Sequence, residues 1–461
     1  MEELLKEVLE RIKPTEADEK LITQVANELT RRINEVCAKK EITAKPMLVG
    51  SAARRTWLRT ERDMDIFILF PKELSREELQ RQGLAVAWGV AGSQGKKRFA
   101  EHPYMTMKYK GFEVDLVPCY DIADSGRIKS AVDRTPHHQR YIEKRLTPEL
   151  ADEVLLIKKF MNGAGIYGSE LKIQGFSGYL CELLTLHYGS FQKLVKAASR
   201  WKPGTVIDPE HTYRDESEPN ILFEGQPLIV IDPVDPNRNV AAAVSMENFA
   251  VFVRACQEFL SRPRREFFFS NKVELLDAKT LQKIIKQRGT KVLCVVFKSP
   301  DLVPDVLYPQ LRKTQRTIMN RLAQAGFDVL RSDVWSDSDA GILLEFRVSK
   351  LPRVRKRIGP PITLDAGDFI REHLRSEKML AGPYVDPTGR MVFELVQEET
   401  DAADALKRIM EKRTAFGKHV IEAVGKGYKI VDESGLLKLL RDRKFKEFIS
   451  EYFTRRLPWY R

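Results

Sequence analysis

The sequence is poor in cysteine, with only Cys37, Cys119, Cys181, Cys256 and Cys294 among 461 residues. Their number is odd, they are scattered, and no two form a Cys-x-x-Cys pair. That argues against a disulfide scaffold and against a thiolate zinc site, and it fits a reducing, cytoplasmic setting in which these residues serve as small core side chains. No apolar run approaches the roughly 18 residues that a membrane helix needs. The stretch Met1-Glu2-Glu3-Leu4-Leu5-Lys6 is charged and helical and lacks the pattern of a secretory signal. No repeat of fixed period is present. With 43% hydrophobic and 31% charged residues, disorder and low-complexity or collagen-like chains are excluded. These absences leave a soluble, intracellular, globular chain with no membrane partner, long enough for about three or four domains.

Lys and Arg number 77 against 65 Asp and Glu, a formal net charge of +12. A basic balance favours a polyanionic partner, nucleic acid first, although the same surplus spread evenly would be no more than solvated surface. Hydrophobic spacing predicts two amphipathic helices at the start, separated by Pro14, with Thr15 and Asp18 as a capping box for the second. Strands are expected at 47–49 and 66–70, the latter stopped by Pro71, and as a hairpin of 105–109 and 112–117 around Lys110-Gly111. Helix dominates from 130 to 261, interrupted by a polar, Pro-rich stretch from 203 to 236 that contains the strand-like Leu228-Ile229-Val230-Ile231. Beyond a linker at Ser261-Arg262-Pro263-Arg264-Arg265, strands are expected at 292–297, 341–348 and 391–396, and helices at 308–326 and towards the C-terminus.

The chemistry concentrates in Val49-Gly50-Ser51-Ala52-Ala53-Arg54-Arg55-Thr56-Trp57-Leu58, followed after a short spacer by Asp63-Met64-Asp65. On a strand, residues i and i+2 point to one face, so Asp63 and Asp65 leave the sheet together while Met64 and Ile66 go to the other side. Two carboxylates on a rigid element suit a hard cation such as Mg²⁺. Asp115, set among the apolar residues of Phe112-Glu113-Val114-Asp115-Leu116-Val117, would complete a three-carboxylate cluster if its strand lies beside the first. Three such groups repel one another and need a cation; that is the design of a two-metal site for phosphoryl chemistry. A lone Asp-x-Asp equally describes a solvated strand entry, and Gly50-Ser51 alone an ordinary turn.

Taken together, the Gly-Ser, the Asp-apolar-Asp and the later apolar-Asp-apolar resemble the polymerase-beta-like nucleotidyltransferase superfamily. Further segments resemble one branch of it, the archaeal class I CCA-adding enzymes, which are tRNA nucleotidyltransferases. They are Ala100-Glu101-His102-Pro103-Tyr104 leading to Val114-Asp115-Leu116-Val117-Pro118-Cys119-Tyr120, then Lys129-Ser130-Ala131-Val132-Asp133-Arg134-Thr135-Pro136-His137-His138, and Gly165-Ile166-Tyr167-Gly168 with Gly175 to Leu184. Asp232-Pro233-Val234-Asp235 with Arg238-Asn239-Val240-Ala241-Ala242 completes the set. The likeness is strong over about residues 45–260 and weaker beyond, through Leu307-Tyr308-Pro309-Gln310-Leu311.

The resemblance implies addition of C, C and A to the 3′ end of tRNA from CTP and ATP, without a template. It implies a multidomain α+β fold: a nucleotidyltransferase catalytic head of mixed sheet and helices over 1–145, a mainly helical central neck over 146–260, an α+β body over 261–306 and 391–461, and a tail over 307–390 that contacts tRNA. It implies Mg²⁺ on Asp63, Asp65 and Asp115, the first of which is glutamate in some members. Ser51 and Arg54 would bind the triphosphate; His138, Lys158 and Tyr167 would contact the incoming nucleotide; Arg238 would read the base edge. Relatives of that kind suggest a homodimer. Read on their own, Lys158 is a lysine that would snorkel from an apolar helix to solvent, Tyr167 a loop aromatic, and Arg238 a partner for a structural ion pair. His138 is separated from His137 only by its spacing from Thr135-Pro136.

Another transferase with this core, such as a poly(A) or oligoadenylate synthetase, would share the acids but not the Asp-Arg-Thr-Pro-x-His or Arg-Asn-Val-Ala-Ala segments. A catalytically dead RNA-binding protein is opposed by the intact acids.

Basic groups cluster at Pro352-Arg353-Val354-Arg355-Lys356-Arg357 and in the last 21 residues, where aromatics interleave. Helical spacing puts Phe445, Phe448 and Tyr452 in a core, leaving the charges for RNA phosphates, which A-form RNA presents by shape. Affinity for tRNA should therefore fall about tenfold or more between low and physiological salt in a filter-binding titration; a flat response would remove the basic surface from RNA binding.

Overall fold

The computed structural model describes residues 1–99, 103–122, 130, 132–215, 217–361 and 363–461. Ala100-Glu101-His102, Lys129 and Ala131 of the family-like segments lie outside the described residues. The chain divides into two compact units, one of residues 1–272 with 457–461 and the other of residues 273–456. The fold is the multidomain α+β arrangement expected.

In the first unit, α1 (Glu2–Ile12) stops before Pro14, and α2 (Glu16–Lys39) opens on the Thr15–Asp18 capping box. A sheet follows from β1 (Lys45–Val49), the short α3 (Gly50–Arg54), β2 (Asp63–Phe70), α4 (Arg76–Ala91), β3 (Lys96–Phe99), β4 (Pro103–Tyr109) and β5 (Phe112–Tyr120). The strand order is β1-β2-β5-β4-β3, and β2 and β5 run parallel while the other pairings are antiparallel. Alternation assigns the two faces. Met64, Ile66, Ile68 and Phe70 of β2 join Val114 and Leu116 of β5 in one core, with Ile22, Val25 and Leu29 of α2 and Leu79 and Val86 of α4. The opposite face carries Phe67 and Leu69 with Cys119 and Val49 further along the strands, and the acids at their start.

The rest of this unit includes a short parallel pair of strands, Thr205–Ile207 with the strand-like Leu228–Val230 expected from the sequence. It is otherwise mainly helical, with α5 (Thr135–Glu143), α6 (Pro148–Gly163), α7 (Gly178–Tyr188) and helices Phe191–Ala198 and Met246–Ser261. Their core is aromatic. Phe160 of α6 lies within 5.4–6.4 Å, centroid to centroid, of Phe191, Phe252, Phe259, Phe267 and Phe268. Trp459 returns to this core, stacks on Phe267 and donates its indole N–H to Glu258 at 2.8 Å. All five cysteines are buried and free, as small core residues. No described helix is long and apolar enough to cross a membrane.

The second unit holds an antiparallel sheet in the order Tyr428–Val431, Lys291–Lys298, Asp339–Val348, Asp328–Ser336, and a smaller one in the order Val354–Pro361, Arg390–Val396, Met379–Val385. Phe445 and Tyr452 are core residues, as their spacing predicts, and Phe448 packs against them partly buried. The fully buried Glu345 accepts hydrogen bonds from Arg288 at 2.6 Å, from Thr290 at 2.7 Å, and from Arg331 and the Tyr452 hydroxyl at longer range. A buried carboxylate is tolerated only when so satisfied. Glu345→Gln should lower the unfolding free energy of this unit by about 3 kcal/mol in a denaturant titration, because two arginines lose their counter-charge; a change under about 1 kcal/mol would mean that solvent already screens the pair.

Candidate active site

Parallel pairing of β2 and β5 sets the acids side by side. Asp65 is in register with Asp115, and Asp63 with Glu113. Partners in register point to the same face, so Asp63, Asp65 and Asp115 share one face of the sheet, and Glu113 lies there as a fourth carboxylate, one not among the expected site residues. Its signal was available: Glu113 lies two residues before Asp115 and shares its face. Asp63 and Glu113 stand at the exposed edge, while Asp65 and Asp115 are half-buried. The Asp115 carboxylate accepts a hydrogen bond from the Thr106 hydroxyl at 2.6 Å, across the β4–β5 pairing.

Burial, then the negative charges of Asp115 and Asp63, push the Asp65 carboxyl up to about 6 against the opposing pull of Arg54. Burial and then Glu113 raise Asp63. Burial also raises Asp115, with the Thr106 hydrogen bond acting against it. Among the described residues no three acidic, imidazole or thiolate groups converge into a ready-made metal cage. The donor set nevertheless fits a hard divalent cation of the Mg²⁺ type, which binds one or two carboxylates and completes its oxygens with water and substrate phosphates.

Gly50 makes this arrangement possible. It joins β1 to α3 with φ +76°, and a Cβ there would stand 2.8 Å from Asp65 Oδ2. Only glycine combines that backbone with so close an approach. Its N–H donates to Gln139 Oε1 at 3.1 Å, so it is a brace to α5 and not a free anion donor. Ser51 lies in the first turn of α3, as expected.

Arg54 points into the protein. Its side chain is 7% exposed; Nε donates to Glu182 Oε1 at 3.0 Å, Nη2 lies 2.9 Å from Oε2, and Nη1 reaches Gln139. Lys158 does not snorkel to solvent. It is 1% exposed and donates to the Thr56 carbonyl at 2.6 Å. The Lys158 ammonium and the Tyr167 hydroxyl flank the first turn of α7, 3.4 and 3.3 Å from where a Cβ on Gly178 would lie. His138 and Arg238 meet on the fully buried Asp232: His138 Nε2 is 2.8 Å from Oδ2, and Arg238 Nη1 donates to the same oxygen at 2.7 Å. The imidazole also stacks on Tyr179 with centroids 4.1 Å apart. Arg238 is thus in the ion pair that its neighbouring acids predict, with its side chain 36% exposed. Burial works to raise the Asp232 carboxyl, but the His138, Val234 and Arg238 hydrogen bonds outweigh it and hold it below the usual range. Gln139, Tyr179, Glu182 and Asp232 tie these groups together. Asp232 and the segment containing Tyr179 and Glu182 stood in the family-like sequence; Gln139 gave no signal beyond its place next to His138.

The sign of one pH effect follows. The folded pKa of Asp65 is raised from 3.8 to about 6, so the folded state holds this proton more tightly than the unfolded chain. The stability that results is complete below about pH 4 and is lost as pH rises through about 6. In chelator, the difference in thermal midpoint between the wild-type chain and Asp65→Asn should therefore move steadily against wild type from pH 4 to pH 7. A difference that does not vary with pH would show that Asp65 is unperturbed.

Three family models match the chain: the nucleotidyltransferase domain over residues 30–138, the second domain of tRNA nucleotidyltransferases over 152–269, and the C-terminal domain of CCA-adding enzymes over 288–433. The CCA-adding enzyme of Methanosarcina mazei is 41% identical over 98% of this chain and 98% of its own length. That of Halobacterium salinarum is 38% identical over 92% of each chain, and that of Methanothermobacter thermautotrophicus 37% identical over 98% of this chain and 97% of its own. Among solved structures, the Cid1 poly(U) polymerase covers 57% of this chain at 14% identity with a TM-score of 0.46. With relatives so similar over almost their whole length, this chain belongs to the archaeal CCA-adding enzymes, a family of tRNA nucleotidyltransferases.

Proposed function

We propose that this protein adds C, C and A in order to the 3′ end of tRNA, using CTP and ATP as substrates and no nucleic-acid template. Full-length similarity to CCA-adding enzymes supports the reaction. The observation that carries the chemistry is the register of Asp65 with Asp115 on two parallel strands, beside Asp63 on the same face. We read Asp63, Asp65 and Asp115 as the ligands of Mg²⁺, which when bound would neutralise the acids and the triphosphate and sharpen the attacking hydroxyl.

The protein's own groups then divide the work. The 3′ hydroxyl of tRNA attacks the α-phosphorus of the nucleotide; the new P–O bond forms as the bond to the β-phosphate bridge breaks, and pyrophosphate leaves. Asp115, whose Oδ1 is engaged by Thr106, keeps Oδ2 for the hydroxyl proton. Ser51, Arg54 and Lys158 hold the triphosphate, Tyr167 contacts the incoming nucleotide, and His138 and Arg238 hold that nucleotide through the frame that Asp232 provides. Catalysis in this scheme is positioning and charge stabilisation. The head and neck would lie in the first compact unit, and the tail and the body in the second apart from residues 261–272 and 457–461, which belong to the first, with tRNA on the basic surfaces. We also read the protein as cytoplasmic and homodimeric.

Purified protein given Mg²⁺, CTP, ATP and tRNA lacking its 3′ end should add C, C and A and then stop. Asp63→Asn should cut the rate by about a thousandfold, because it removes one charge from the cation site. Long homopolymer tails would favour a poly(A)-type enzyme, and undiminished activity of the variant would overturn the site.

A further inference from the structure

We propose that Glu182 is a positioning residue for the incoming nucleotide: it fixes Arg54 and, through Thr56, Lys158 in the geometry that meets the triphosphate. The proposal rests on the reading of Arg54 and Lys158 as triphosphate ligands, and it assigns a role to a residue that touches neither substrate nor cation.

Glu182 lies in α7, one turn beyond Gly178, and is fully buried. Its Oε1 accepts two hydrogen bonds, from Arg54 Nε at 3.0 Å and from the Thr56 hydroxyl at 2.6 Å. Its Oε2 lies 2.9 Å from Arg54 Nη2, an ionic contact that lacks the direction of a hydrogen bond. Thr56 is itself fully buried and works at both ends, giving its hydroxyl to Glu182 and its carbonyl to the Lys158 ammonium at 2.6 Å. One carboxylate therefore sets two cations that come from different elements, α3 and α6.

The edge of the guanidinium is also specified. The Nε and Nη2 side faces Glu182, and Nη1 reaches Gln139, whose Oε1 also receives the Gly50 N–H. A planar guanidinium has five N–H donors in a rigid fork, so fixing one edge aims the other. Arg54 is close enough to Asp65 to lower that carboxyl's proton affinity, so the group serves the acid cluster's surroundings as well as the Glu182 pair. Burial alone would raise the Glu182 carboxyl, but Arg54, Lys158 and Thr56 outweigh it and keep it ionised. The nearby Glu61 carboxyl is raised by burial, with Lys158 opposing. An arginine buried merely to stabilise the fold would need none of this sharing with the loop that leads into the catalytic strand.

The test uses the full-length enzyme with steady-state addition of C and of A to tRNA, and pyrophosphate as an inhibitor that probes the phosphate site alone. Glu182→Gln keeps the shape and removes the charge. It should raise KM for CTP and for ATP together by about tenfold or more, the value of a hydrogen bond to a charged group. Inhibition by pyrophosphate should weaken by a similar factor, and KM for tRNA should stay within about twofold. Glu182→Asp, which restores the charge but withdraws it by one methylene, should recover part of the loss and serves where the glutamine variant does not fold. Adding Arg54→Lys to Glu182→Gln should cost less than the sum of the two, since both act on one contact. If Arg54→Lys raises nucleotide KM and Glu182→Gln lowers only the thermal midpoint, Glu182 is a structural ion pair and the proposal is overturned. If Arg54→Lys leaves nucleotide KM unchanged, the triphosphate reading of Arg54 falls, and the proposal with it.

Discussion

Crowding of carboxylates is the constraint on which the first compact unit of this protein depends. Two parallel strands in register bring Asp63, Asp65, Glu113 and Asp115 to one face. Folding thereby buries and concentrates negative charge that the isolated strands would leave in water, and the proton affinities of Asp63, Asp65 and Asp115 rise, through burial first and through the neighbouring carboxylates after it. Such a cluster persists only if the scaffold around it is stable enough to hold unfavourable charge together. The scaffold does so with the opposite face of the same strands, where Met64, Ile66, Val114 and Leu116 are buried between sheet and helices. The alternation that hides one set of side chains exposes the other.

Arrangements next to the acids follow from this crowding. Glycine stands at residue 50 because Asp65 Oδ2 occupies the space that a Cβ would take. The chain leaves Gly50 in a left-handed conformation, and its N–H is satisfied by the side chain of a residue 89 positions away. That residue, Gln139, also meets Arg54, which is in turn set by Glu182. Helices α3, α5 and α7 are thus braced to one another by side chains within a short distance of the acid cluster. The brace is built from charged and amide groups because it must bind polar loop backbone; apolar packing would leave the Gly50 N–H and the Thr56 hydroxyl unsatisfied.

Apart from Lys45–Val49 and Leu228–Val230, which were legible in the sequence although neither is central, the strands divide along a physical line. Strands 291–298, 339–348 and 390–396 were legible, and each is central in its sheet. Strands Lys96–Phe99, Asp328–Ser336, Val354–Pro361, Met379–Val385 and Tyr428–Val431 were not, and each is an edge. A central strand is buried by neighbours on both sides and shows an apolar run. An edge strand carries charge, as Arg355, Lys356 and Arg357 do, so its periodicity disappears and its backbone is protected from pairing with other chains. The residues expected from their charge to meet RNA are the ones that guard this edge. In the site, the acids were legible because their spacing matches strand geometry. Glu113 was passed over because only the pairing with Asp63 gives it meaning, and Gln139 because a glutamine carries no pattern.

Lys158 shows where local reasoning stops. A lysine on an apolar helix ordinarily extends its stem and lifts the ammonium into water. Here α6 is buried nearly all round, through Leu155, Leu156, Ile157, Phe160 and Met161, and the lysine side chain stays inside with them. The ammonium must then be satisfied inside, and the Thr56 carbonyl is the acceptor it finds. That carbonyl lies in the segment between α3 and β2, which links the Gly50 turn to Asp63. The helical region is therefore attached to the acid cluster by a buried charge, and displacing Lys158 would strip the cation from Glu182's surroundings and the tether from the strand at once. Aromatic packing around Phe160 fixes where α6 lies, and the lysine two residues earlier converts that position into a constraint on the segment leading to the acid-bearing strand β2. The acid-bearing strand and the protein core are in this way coupled through one helix turn.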